Sequence, residues 1–384
     1  MQVTGIICEY NPLHTGHKKQ LDTVKAAHAD DGIVCLMSGN YVQRGAPAIV
    51  DKSLRAQAAV LSGADLVLEL PVTAALSSAE GFAREGVRIL SGFCKRLCFG
   101  TENADLDTLL ATARALLHPE FSNALHAQLD NGLSFPAARQ AAVQAMGLQA
   151  DILSTPNNIL AVEYCKAILS QGLTLEPMPI RRNGNYHDTA VNPENPSATA
   201  LRQLMVSGND WAELVPEAAR ICFGGAAIHT TAAAEKAILY RLRTMTDEEF
   251  AALPNGSEGL WRKLMHNART LSTLEEILTA TKSKRYTRSR LDRMVMCAFL
   301  GITEKDISTP APYVRVLALN DTGRSILKSA RKTGLFYNPG EDADHPYQAL
   351  EYRAERLYSL FSRDCSEPPF FEGNRRIYYK NTGR

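Results

Sequence analysis

The sequence predicts an α/β fold, a mostly parallel sheet with helices on its faces, followed by a predominantly α-helical C-terminal half. Three observations carry this. Short apolar, β-rich runs in the first hundred residues alternate with amphipathic helical stretches, the second run ending at Gly39 and the third at Pro71. Strands spaced by helices of that length need crossover connections, which give parallel pairing. After about residue 205 the texture changes, and helical periodicity dominates. The chain has 384 residues, 45% hydrophobic and 22% charged, so it can bury a sizeable core and divide into two domains.

Taken in order, "VTGIIC" (3–8) is the first strand, and "HKKQLDTVKAAHA" behind it has helical periodicity. "GIVCLMSG" (32–39) is a second buried strand. "DKSLRAQAAVLSGA" (51–64) is a helix stopped by Gly63, and "DLVLELP" (65–71) a third strand stopped by Pro71. "SAEGFAREGVRILSGF" is helical, and "RLCFGTE" (96–102) is a fourth strand. Residues 104–150 are Ala/Leu-rich and form a helical insertion. A helix starts near Pro156, "LTLEPMPIRR" (173–182) is a fifth strand leading into the loop "NGNYHD", and "NPSATALRQLM" (195–205) closes the first domain. Residues 206–384 are assigned to a second, mostly helical domain. In such sheets ligands bind at the carboxyl ends of the strands, where Gly39, Gly100 and the turn "YNPLHTGH" fall.

The bulk properties exclude several classes. Net charge is +1, so an anionic partner must be attracted by a local patch. No apolar run approaches the ~20 residues of a membrane span, and no secretory pattern opens the chain, so a cytoplasmic location is expected. Eight cysteines are scattered; Cys94 and Cys98 lie four apart with no second ligand pair, and reduced, packed thiols are the expectation. No metal site is predicted.

The turn behind the first strand holds the first chemical signal. His14 and His17 flank Thr15-Gly16 at the start of a helix, three apart, so both imidazoles can face one point at the positive helix end. Their N–H groups can donate to phosphate oxygens and stabilise charge developing there, without a nucleophile. "SATALR" gives a second contact of the same kind: Ser197 and Thr199 are capping and phosphate-contacting hydroxyls, and Arg202 can fork onto phosphate. The H-x-G-H turn and this segment, in this order, resemble the nucleotidyltransferase superfamily, which implies a Rossmann-like parallel-sheet nucleotidyltransferase core.

A narrower resemblance runs along nearly the whole chain. "EYNPLHTGH", "MSGNYVQRGAPAIVDKSLRAQAAVLSGADLVLELP", "SAEGFAREGV", "CFGTE", "TPNNIL", "IRRNGNYHD", "RYTRSRLDRM" and "YVRVLALNDTGRSIL" together resemble the tRNA(Met) cytidine acetate ligase family. The resemblance implies an ATP-dependent ligase that converts acetate to acetyl-adenylate and transfers the acetyl group to N4 of the wobble cytidine of elongator tRNA(Met). AMP and pyrophosphate are the by-products. It implies His14 and His17 as the catalytic pair steadying the α-phosphate transition state. It further implies an ATP-binding stretch of Ile7, Cys8, Glu9, Tyr10, Asn11, Pro12, Leu13, Thr15, Gly16, Lys18, Lys19 and Gln20. Gly100, Asn157 (or Asn158), Arg181 or Arg182, Ser197, Thr199 and Arg202 complete the ATP set, with Mg²⁺ expected to accompany ATP. Leu13 departs from the bulky aromatic that the family commonly shows there, and "NGNYHD" departs from its Gly-rich loop, which blurs which arginine aligns.

Gln43 and Arg44 follow the second strand; they can grip acetate, the tRNA backbone or ATP, and a plain ion pair for Arg44 is equally compatible. Asp51, Lys52 and Arg55 read as an exposed helix face. In "KSKRYTRSRLDR" the residues Lys282, Lys284, Arg285, Arg288, Arg290 and Arg293 stand against one acid, so they are assigned to tRNA phosphates, with Tyr286 stacking on a base or packing into the core. Two other readings remain open from the residues: a small-molecule nucleotidyltransferase, and a tRNA-binding protein without chemistry. The long helical half with its basic run argues against the first, and the intact His14, Gly16, His17, Ser197, Thr199 and Arg202 against the second.

Overall fold

A computed structural model describes residues 1–182, 197–257, 259–330, 346–363 and 377–381. The loop "NGNYHD" predicted after the fifth strand lies outside them. Seven strands form one sheet in the order β7-β6-β1-β2-β5-β8-β9, namely Glu176–Arg181, Arg96–Thr101, Val3–Cys8, Gly32–Ser38, Leu66–Leu70, Arg315–Asn320 and Tyr378–Lys380. The first five pair in parallel, as the alternation of strand and helix requires. Side chains alternate across the sheet with period two. Val34, Leu36, Leu66, Leu68 and Leu70 pack on one face, and Ile33, Cys35, Met37 and Val67 on the other. Both faces are therefore covered, which is why β2 and β5 are buried along their whole length and apolar but for Ser38 and Glu69 at their carboxyl ends.

Helices α1 (Thr15–Ala27), α2 (Lys52–Leu61), α3 (Val72–Ala75), α4 (Ala79–Ser91), α5 (Leu106–Leu117), α6 (Pro119–Asp130), α7 (Phe135–Ala145), α8 (Pro156–Ser170) and α9 (Ala198–Ser207) belong to the N-terminal half. A two-stranded hairpin, β3 (Tyr41–Val42) and β4 (Ala46–Pro47), follows β2. From β1 the chain builds outward through β2 and β5 and then returns to place β6 and β7 on the opposite side. The reversal leaves a crevice at the carboxyl ends of β1 and β6, the usual place for a ligand in such a sheet.

Residues beyond 205 form α10 (Glu217–Phe223), α11 (Glu235–Thr244), α12 (Asp247–Ala251), α13 (Leu260–Thr270), α14 (Leu274–Thr281), α15 (Arg288–Leu300), α16 (Glu304–Ser308), α17 (Asp321–Ala330) and α18 (Pro346–Tyr358). They share both the sheet and a core with the first half. β8 pairs antiparallel with β5, and β9 extends the sheet beyond β8. The helical core in turn takes in Tyr41, Val72 and Leu76 from the first half. A six-residue stretch such as "RVLALN", with four apolar residues at its centre, carries no periodicity long enough to separate strand from helix, so only its distant partner β5 decides the matter.

The start of α2 is buried, against the exposed face expected of it. Lys52 and Arg55 are 1% and 0% exposed, not on a solvated face. Lys52 bridges Glu69 (2.8 Å) and Glu355 (2.7 Å), and Arg315 joins the same cluster through Glu69 (3.1 Å) and Glu351. Arg55 donates to the carbonyls of Glu9 (2.6 Å), Ser38 (3.1 Å), Gly39 and Val50 (2.8 Å), tying together the chain just past β1 and β2. Buried charges persist only when paired or hydrogen-bonded, and both are.

Candidate active site

The crevice opens into a cleft of about 620 Å³. Two helix starts converge on it. His14 caps α1, its Nδ1 accepting the Gly16 N–H (3.1 Å), while the His17 Nδ1 accepts the His14 N–H (3.3 Å). The two rings stack at 3.8 Å. On the other side Ser197 caps α9, accepting from the Ala200 N–H (3.0 Å), and Ser197, Ala198 and Thr199 line the same space. The positive dipole ends of both helices thus face one volume, with the first residues of α9 in its lining, which makes it an anion site.

The acceptor role of each Nδ1 fixes the tautomer: a neutral ring carries its proton on Nε2 and offers one donor. Burial keeps the rings neutral. It pushes His14 down to about 3, with Arg182 and Arg202 adding to the effect, and His17 falls well below its usual value through burial, then His14 and Arg182. Arg202 is held by the Asn11 carbonyl (2.8 Å) and the Thr199 hydroxyl (3.1 Å), coupling α9 to the turn after β1. Glu9 is the one carboxylate among the described lining residues. Its Oε1 accepts the Gln43 N–H at 2.7 Å, and burial raises its pKa against that bond and against Arg202, Arg55 and Arg44.

Of the predicted ATP residues, Ile7, Cys8, Glu9, Tyr10, Asn11, His14, His17, Gln20, Gly100, Asn157, Arg182, Ser197, Thr199 and Arg202 line the cleft. Pro12, Leu13, Thr15, Gly16, Lys18, Lys19 and Arg181 do not; Leu13 is packed in the core and Lys18 pairs with Asp22. Among the alternatives, the structure brings Arg182 and Asn157 to the cleft. Asn157 donates to Glu102 (2.6 Å), whereas Asn158 is buried between Thr101 and the Asn103 N–H. Gly100 is explained by its neighbour: a Cβ there would stand 2.8 Å from Cδ of Arg182, whose stem crosses it. Sequence reasoning missed the apolar end of the cleft, Phe82, Phe99, Leu160 and Tyr164, and the far wall, His229, Thr230 and Thr231. The first four carry an ordinary core pattern and the others no motif, so no local signal marks them.

The basic run lies outside the cleft and is divided. Lys282, Lys284 and Arg285 are exposed on the segment before α15. Arg288 is held by Glu275 (2.7 Å) and Asp292 (2.9 Å), which raise its pKa further. Arg290 donates to the Asn255 carbonyl (2.7 Å) and lies over the Tyr286 ring, itself partly packed in the helical core. Arg293 is 8% exposed and donates to the Gln43 carbonyl (3.3 Å), so it faces the interior.

The model of the HIGH nucleotidyl transferase family matches residues 1–369. The tRNA(Met) cytidine acetate ligase of Clostridium acetobutylicum is 34% identical, covering 95% of this chain and 97% of its own. That of Clostridium novyi is 37% identical over 86% and 88%. Among solved structures, Thermotoga maritima TmcAL in its apo form superposes with a TM-score of 0.91 at 29% identity over the whole of both chains. Its complex with alpha-thio ATP gives 0.88. A histidine-capped cleft at the sheet's reversal point and similarity along the entire chain lead to one assignment: the chain belongs to the HIGH nucleotidyl transferases, within the tRNA(Met) cytidine acetate ligase family.

Proposed function

We propose that the protein activates acetate with ATP and transfers the acetyl group to N4 of the wobble cytidine of elongator tRNA(Met), forming N4-acetylcytidine. The observation that carries this reading is the neutral imidazole pair capping α1 opposite the start of α9. Acetate attacks the α-phosphorus and pyrophosphate leaves. The charge that builds on the phosphorus oxygens meets fixed Nε2–H donors and the positive end of α9, which need no reorganisation. Gly100, Asn157 and the apolar wall of Phe99 and Tyr164, tilted 5.5 Å apart, suit the adenosine moiety, with Arg182 and Arg202 for its phosphates. The exocyclic amine of cytidine is a weak nucleophile, and an acyl phosphate anhydride with AMP as leaving group is matched to it.

Mg²⁺ fits as a companion of ATP. Among the described residues no cluster of three metal-binding side chains exists, and Glu9 alone offers a carboxylate on the cleft. Phosphate oxygens and water would fill most of the shell of so hard a cation. Among the described residues no helix is long and apolar enough to cross a membrane, and a cytoplasmic location accords with a tRNA substrate.

Incubation with ATP, radiolabelled acetate and unmodified elongator methionine tRNA tests the reading. Label is expected in the RNA only when ATP is present. No transfer, together with pyrophosphate release on a phosphorylated metabolite, would replace it with a small-molecule nucleotidyltransferase.

A further inference from the structure

We propose that Arg44, in the turn of the β3–β4 hairpin, reads the acceptor base, donating to N3 and O2 of an extruded cytosine so that only N4 faces the acetyl-adenylate. The inference rests on the ligase reading above. Its first support is placement. Arg44 lines the cleft yet is exposed, so it stands at the mouth, where an incoming base would enter.

The second support is rigidity. Gln43 is pinned on both sides of its backbone, its N–H to Glu9 (2.7 Å) and its carbonyl to Arg293 (3.3 Å). The Gly45 N–H closes the turn onto the Val42 carbonyl (2.9 Å). Gly45 has φ of +78°, and a Cβ on it would lie 2.3 Å from the backbone nitrogen of Arg293, so the turn rests directly on α15. Arg44 is therefore presented by a fixed hairpin wedged between the nucleotide cleft and the helix that follows the exposed basic segment. RNA held along Lys282, Lys284 and Arg285 has its phosphates on one side of that wedge and the ATP site on the other.

The third support is chemistry. A guanidinium fork has only donors. Cytosine offers two adjacent acceptors, N3 and O2, whereas uracil has N–H at position 3 and would set donor against donor. The contact also leaves N4, the reacting atom, unengaged.

Arg44→Ala and Arg44→Lys are compared with the unaltered protein in three assays. Acetate-dependent ATP–pyrophosphate exchange without RNA is expected to be unchanged. Acetyl transfer, as kcat/KM for tRNA, is expected to fall about tenfold to a hundredfold in both variants, since a lysine cannot fork. A transcript with uridine in place of the wobble cytidine should compete at least tenfold less well than its cytidine counterpart against the unaltered protein, loaded with ATP and acetate, and this gap should close in both variants. Exchange falling in step with transfer would place Arg44 at ATP and overturn the proposal. Equal weakening of both transcripts would make it a phosphate contact and also overturn it, as would undiminished transfer. Absence of acetate-dependent exchange and transfer in the unaltered protein would instead overturn the ligase reading itself.

Discussion

His14 performs two tasks with one ring: Nδ1 caps α1 and Nε2–H is left for the substrate. The two can be separated. Asparagine accepts a cap bond as well as any side chain, so His14→Asn is expected to melt within a few degrees of the unaltered protein while adenylate formation drops about a hundredfold to a thousandfold. His14→Ala loses the cap as well, costing about 1 kcal/mol more; thermal denaturation and pyrophosphate exchange check both. The low pKa of His14, about 3, also has a sign. Its unfolded form takes a proton below about pH 6.5 and its folded form does not, so folding weakens as pH falls from there toward 3. His14→Asn should thus lose less stability than the unaltered protein between pH 7 and 5, and an imidazole titrating normally near 6.5 by NMR would contradict the buried-neutral geometry. Gly100→Ala drives a methyl group into the stem of Arg182 and should raise KM for ATP severalfold with little change in melting temperature.

At the level of elements, α2 shows where sequence reasoning reached and where it stopped. Its boundaries were legible from Asp51 and Gly63, local signals that a helix needs, and so was the histidine turn, whose residues act at fixed short spacing. Arg55 and Lys52 were not, because a charge on an amphipathic helix faces water unless something distant meets it. Here the carbonyls ending β1 and β2 meet Arg55, and Glu69 and Glu355 meet Lys52. Arg293 misled in the same way, its partner being Gln43, 250 positions away. Lys52→Met should leave two buried carboxylates with one cation fewer and destabilise the fold by about 3–5 kcal/mol, measurable in urea. Arg55→Leu, which takes the donor from four carbonyls, that of cleft-lining Glu9 among them, should cost at least as much and abolish ATP binding; retained binding would mean the strand ends hold their own shape.

For the molecule as a whole, the edge formed by β5 is closed only by β8, and the helical half shares its core with Tyr41, Val72 and Leu76. A fragment of residues 1–205 should consequently fail to show a cooperative melt when expressed alone. On the outer surface, Lys282→Glu with Lys284→Glu and Arg285→Glu should weaken tRNA retention and flatten its dependence on salt, whereas Arg288→Glu should act mainly by repelling Glu275 and Asp292. The position of β8 also has a meaning for biosynthesis. The strands it completes are made early, but β5 at Leu70 waits for Arg315, 245 residues later, before its edge is covered. At ordinary elongation rates of about 5–20 residues per second that delay is roughly 10–50 s. Through that interval a growing chain presents an apolar, unpaired strand edge beside a half-built nucleotide cleft. Ribosome-bound intermediates of this protein are thus expected to depend on chaperones to a degree that the stability of the finished molecule would not suggest.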